Sequence, residues 1–95
     1  MEIVYKELSS AKKYLKRRNP SAKYWYMVRI EIYIGQEDNY IEGIIIPSEI
    51  EMDIDMMKEH VLTIIDRIIN QIAKRGSIAV YSLIECSIVD AYKTN

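Results

Sequence analysis

Phenylalanine is absent from the chain, cysteine and histidine occur once each, and no apolar run approaches the ~18 to 20 residues a membrane-spanning helix requires. Each shortage narrows the field. A single thiol, Cys86, can form neither an internal disulfide nor a multi-cysteine metal site, which leaves a buried apolar role or pairing with a second copy of the chain. The single histidine, His60, falls on the polar side of a helical pattern, and its neighbour Glu59 points about 100° away from it, so a surface histidine outranks a general base. The G-x-S-x-G, Walker, dinucleotide and H-E-x-x-H signatures are missing. Catalysis and a cofactor are therefore not expected. Glu2 stands where a secretory signal would carry basic residues, and no apolar stretch or small-residue cleavage site follows, so the chain reads as intracellular.

What is present fits one globular domain over residues 1 to 95. About half the chain is hydrophobic and 28% is charged, too apolar for disorder, and 11.2 kDa is too little for two domains. Glutamine is confined to Gln36 and Gln71 while Lys, Glu and Ile abound, which suits a hyperthermophile. An AT-rich genome would favour Ile, Lys and Tyr as well.

The net charge of −1 hides a division. Residues 1 to 30 carry eight bases against Glu2 and Glu7, a balance of plus six. Residues 31 to 60 carry nine acids against Lys58 alone, a balance of minus eight, and the remainder is plus one. Such asymmetry steers charged partners even when the whole molecule is nearly neutral.

Periodicity gives the elements. Ile3 to Tyr5 reads as a short strand. Ser9 or Ser10 can cap a short helix with Leu8, Ala11, Tyr14 and Leu15 on its apolar side, and Pro20 ends it. From Ala22 the period becomes two, with Tyr24, Tyr26, Val28, Ile30, Ile32 and Ile34 on one strand face and Trp25, Met27, Arg29, Glu31 and Tyr33 on the other. Gly35 to Asn39 is a polar loop and Tyr40 to Ile46 a returning arm, where Gly43 suggests a bulge. Asp53 or Asp55 can cap a long helix reaching about Arg75 and stopped by Gly76, with Ile54, Met57, Val61, Ile65, Ile68 and Ile72 along one stripe. Ser77 to Tyr92 alternates again, apolar on both faces, with Ile84, Cys86 and Ile88 opposing Leu83, Val89 and Ala91. That is long enough to require a bend, a bulge or an extension across another subunit.

These elements predict an α+β fold: an antiparallel sheet of four or five strands with helices on one face, in the order β-α-β-β-α-β. A ferredoxin-like split βαβ arrangement and an irregular antiparallel sheet both fit. Trp25, Met27 and Tyr33 would then project from an uncovered sheet face, the patch expected to join two copies in a symmetric dimer.

Two charged groups are candidates for partner contact. Glu37, Asp38, Glu42, Glu49, Glu51, Asp53 and Asp55 cluster around loops and a helix start, where they could present negative charge to a basic groove on another protein. Glu51, Asp53 and Asp55 alternate as in a calcium loop, but the glycine and terminal glutamate such a loop needs are missing, so no metal is expected. Lys12, Lys13, Lys16, Arg17 and Arg18, near Tyr24, Trp25 and Tyr26, offer phosphate neutralisation beside aromatic rings. Alternation places Tyr24 and Tyr26 on the core face, which removes a continuous stacking platform.

The stretch from Asn19 to Ile34 (NPSAKYWYMVRIEIYI), the isoleucine-rich helix and the strand from Ile78 to Tyr92 resemble small proteins of rod-shaped and filamentous viruses of Sulfolobales archaea. In length, order of elements and texture the whole chain resembles the type I-D anti-CRISPR family of those viruses. The resemblance implies a homodimer in the host cytoplasm that inhibits stoichiometrically by binding the large subunit of the host type I-D interference complex. Charge complementarity points to the acidic residues as the contact. The second reading is a viral nucleic-acid-binding regulator using the basic helix.

Overall fold

The two-residue period read from Ala22 onward builds the centre of the molecule. In the computed structural model, which describes residues 2–34, 38–73 and 81–94, Tyr24–Ile34 forms an eleven-residue strand (β2) paired on both sides. Asp38–Ser48 (β3) runs antiparallel to it, from Tyr24↔Ser48 to Ile34↔Asp38, and Tyr81–Lys93 (β4) runs antiparallel on its other edge. Lys6–Glu7 (β1) completes a four-stranded sheet in the order β1-β4-β2-β3. The fold is α+β, with the expected succession of strands and helices.

The sheet is mixed rather than antiparallel throughout, because β1 runs parallel to β4 at Tyr92 and Lys93. Helix length explains the topology. A twenty-residue helix, Ile54–Ala73 (α2), spans about 30 Å, enough to carry the chain from the end of β3 back along the sheet to the start of β4. β3 and β4 are thereby parallel with β2 between them, which is one split βαβ unit. The first helix, Lys13–Arg18 (α1), has six residues and covers only about 9 Å, so β1 and β2 run in opposite directions and no second unit forms.

Local chemistry sets the boundaries. Asp53, of the two candidate caps, accepts a hydrogen bond from the Met56 N–H at 2.8 Å, and α2 begins beside it. A 3-10 turn at Ser10–Lys12 leads into α1, and the Asn19 N–H closes on the Leu15 carbonyl before Pro20. Gly43 stays in register opposite Arg29, so the irregularity expected there is absent from the β2–β3 ladder. It lies in β4 instead. Thirteen residues of β4 face eleven of β2, with register shifts that leave Val89 and Ile84 as the extra residues.

Those two bulges shift the inner face of β4 to Tyr81, Leu83, Cys86, Ile88 and Ala91, merging the two faces that simple alternation keeps apart. That face joins Tyr26, Val28, Ile30 and Ile32 of β2 under Met57, Val61, Ile65, Ile68 and Ile69 of α2. Ile54, expected within the stripe, is exposed, as is Leu62. The stop at Gly76 and the strand start at Ser77 lie outside the described residues.

A second, smaller core lies on the opposite face. Trp25 is fully buried there with Leu15, Ala22 and Tyr92, and Leu8 and Met27 pack around them. The helices therefore cover both faces of the sheet. This corrects the expectation of helices on one face, and with it an uncovered tryptophan: six residues suffice because α1 need only place Leu15 over one ring.

Candidate protein-docking surface

From Glu37 to Met57 the chain carries seven acids and no lysine or arginine. The fold distributes them along one edge of the sheet and its exit rather than gathering them into one patch. Glu42 is half-buried midway along β3, opposite Ile30. Glu49 and Glu51 are exposed in the turn after β3, which Ser48 organises by donating its hydroxyl to the Ile50 carbonyl (2.7 Å) and accepting the Ile50 N–H (3.1 Å). Asp53 is committed to capping α2, and Asp55 sits in its first turn, where negative charge favours the helix dipole. Asp38 begins β3, more than about 30 Å along the strand from Ser48. Glu37 lies outside the described residues. The length of β3 thus keeps Asp38 far from Glu49 and Glu51.

What the fold adds to these charges is an open strand. β3 is terminal in the strand order, and among the described residues nothing pairs with its outer side. Its peptide groups on that side remain available for a further strand. Ile41, 57% exposed, and Ile45 flank the edge on the α1 side of the sheet, opposite Glu31 and Met27, and Tyr40 is exposed on the other side. Around them lie an exposed Arg29–Glu85 ion pair at 3.7 Å and a hydrogen bond from Asn39 to Glu31 at 3.0 Å. Sequence reading misses this edge because alternation reveals faces, not which strand is last in the sheet.

The turn carrying Glu51 is fixed by tyrosines. The Met52 N–H donates to the Tyr26 hydroxyl at 2.8 Å, and that oxygen lies 2.8 Å from the hydroxyl of Tyr5. Tyr5 also meets Tyr24 edge-on at 5.5 Å. Burial foremost, then the hydrogen bond with Tyr26, pushes the Tyr5 hydroxyl well above the ordinary tyrosine pKa. Tyr24 is raised too, by burial and then by the negative charge of Glu51.

The basic helix is differently disposed. Lys16 donates to the Ala22 carbonyl at 2.9 Å and lies over the Trp25 ring, and Lys12 lies over Tyr92. Lys13, Arg17 and Arg18 are exposed. Trp25, beneath the helix, cannot stack on a base or anchor a dimer through that face. Met27 and Tyr33, its expected companions in a dimer contact, are half-buried.

Cys86 is buried in the main core, as its apolar reading required, and burial pushes its thiol up while the Lys58 charge draws it down. Among the described residues no group of three His, Cys, Asp or Glu could hold a metal ion. None of the described helices is long and apolar enough to cross a membrane. Comparison with protein-family models, with curated proteins and with solved structures finds no match to this chain.

Proposed function

We propose that the chain is a binding protein rather than a catalyst, and that it docks a basic partner along the open edge of β3. The observation that carries this reading is an eleven-residue unpaired edge whose charged groups, through the following turn, are all acidic. A strand added to such an edge gains main-chain hydrogen bonds, and lysines or arginines on it meet Glu42, Glu49 and Glu51. Two copies of β3 would repel each other, so the edge favours a foreign strand over its own.

The resemblance to type I-D anti-CRISPR proteins supplies the partner: the large subunit of the host type I-D interference complex, bound stoichiometrically in the host cytoplasm. Affinity purification from host extract tests it. Wild type should recover that subunit, and a Glu42→Gln, Glu49→Lys, Glu51→Lys variant should not. Recovery of nucleic acid alone would favour the second reading, supported by the exposed Lys13, Arg17 and Arg18 of α1. DNA binding through them would weaken steeply with added salt.

A further inference from the structure

Gly43 stands in the middle of the open β3 edge without a reason internal to the chain. It pairs regularly with Arg29, its φ lies outside the left-handed region, and a Cβ built on it meets nothing within 4 Å. Glycine weakens a strand interior, and in such a place it often marks the close approach of a ligand or another backbone. The position is a notch. Exposed Ile41 and Ile45 wall it along β3 on the α1 side of the sheet, and Arg29, across from it on β2, reaches away toward Glu85 of β4.

A proline fixes which peptide groups this edge offers. Pro47 pairs with Trp25 and has no N–H to give, so the hydrogen-bonded pairs of the β2–β3 ladder fall on the even residues of β3, among them Glu42 and Ile44. The Lys23 carbonyl agrees: it accepts the Thr94 N–H, which turns the odd residues of β2 toward β4. Ile41, Gly43 and Ile45 therefore direct both N–H and C=O outward, where no described residue pairs with them.

We infer that the notch at Gly43 receives an aromatic side chain from a foreign strand lying antiparallel on β3, with a lysine or arginine next after it in that strand. Paired residues share a face, so the residue opposite Gly43 lies on the α1 side between Ile41 and Ile45, where a flat ring covers the bare backbone. The next residue of the strand pairs with Glu42 on the α2 side, where a basic group meets the half-buried carboxylate. Antiparallel pairing is also the more stable arrangement per residue. The inference rests on the proposed docking at β3 and adds the chemistry of the segment that docks: extended, with an aromatic–basic pair at its centre.

Fluorescence anisotropy with a labelled threonine-rich peptide of about nine residues, carrying Tyr-Lys at its centre, tests this on the whole protein. The controls replace that tyrosine by alanine or that lysine by glutamate. Wild type should bind the Tyr-Lys peptide at least about tenfold more tightly than either control. Gly43→Val, which fills the notch, should lose the preference for tyrosine with unchanged circular dichroism. Hydrogen exchange gives a second readout: binding should raise amide protection at Ile41, Gly43 and Ile45 and leave Glu42 and Ile44, already bonded to β2, unchanged. Equal binding of either control, an undiminished tyrosine preference in Gly43→Val, or new protection along β4 instead would overturn the inference. If no peptide binds while the large subunit is still captured through the acidic edge, the inference fails and the proposed function stands; if the subunit is not captured either, both fail.

Discussion

Trp25 stands directly opposite Tyr92 in the β2–β4 register, and each ring carries a lysine of the N-terminal segment above it: Lys16 lies 5.7 Å from the Trp25 centroid and Lys12 lies 5.3 Å from that of Tyr92. One short basic segment thus closes the second core with Leu15 and holds two of its cations against aromatic faces. Each such contact contributes about 0.5–1 kcal/mol at partly exposed sites. Two of the five bases that suggest nucleic-acid binding are in this way turned inward.

Trp25→Ala should cost about 3–5 kcal/mol, the usual penalty for emptying a large aromatic site. Urea unfolding followed by circular dichroism measures it. Because Trp25 is the only tryptophan, fluorescence reports on the same core. Native emission should be blue-shifted and shielded from iodide, and Leu15→Ala should red-shift it before the main core melts.

Alkaline pH should act through the tyrosine cluster. The Tyr5 pKa is raised above its unfolded value near 10, so its contribution is fully present below about pH 10 and is lost as pH rises toward the folded value. Tyrosinate absorbance should show Tyr5 ionising later than the exposed tyrosines. Tyr5→Phe should make stability less sensitive to pH above about 10.

Acid should act at the other side of β4. Asp90 accepts hydrogen bonds from the Tyr92 hydroxyl at 2.9 Å and from Lys6, whose ion-pair distance is 3.1 Å. The Tyr92 bond first, then the Lys6 bond, holds its carboxyl below the ordinary range. A depressed pKa stabilises above the unfolded value near 3.9 and ceases to do so as pH falls through the folded one. Amide protection near Lys6 and Glu7, taken relative to the intrinsic exchange rate at each pH, should therefore fall below about pH 4, and Asp90→Asn should show the lower protection already at neutral pH.

Gly43 offers a stabilising change. A Cβ built there meets nothing within 4 Å, and its neighbours pair regularly. Gly43→Ala should raise stability by about 0.4–1 kcal/mol by restricting the unfolded chain. Thermal unfolding checks the sign.

Legibility in the sequence follows the clarity of each pattern. The spacing of Met57, Val61, Ile65 and Ile68 identified the buried stripe of α2, and the alternation from Tyr24 identified the inner face of β2. In β4 both faces are apolar, so a register shift at Ile84 or Val89 leaves no mark in composition, and only the excessive length warned of it. The burial of Trp25 was hidden because it depends on where the turn at Pro20 returns the chain, a tertiary matter. For the acidic residues, the sequence showed their number, but their separation follows from β3 running as one unbroken strand.

The central claim is that the acidic edge of β3 is a protein-docking surface. Calorimetric titration of the purified type I-D large subunit with wild type and with the Glu42→Gln, Glu49→Lys, Glu51→Lys variant tests it most directly. The account predicts saturable binding by wild type, at least about a hundredfold weaker binding by the acidic variant, equivalent to ~2.7 kcal/mol, and unaltered binding when Lys13, Arg17 and Arg18 are changed to Gln. Equal affinity of wild type and the acidic variant, or no heat from either, would contradict it.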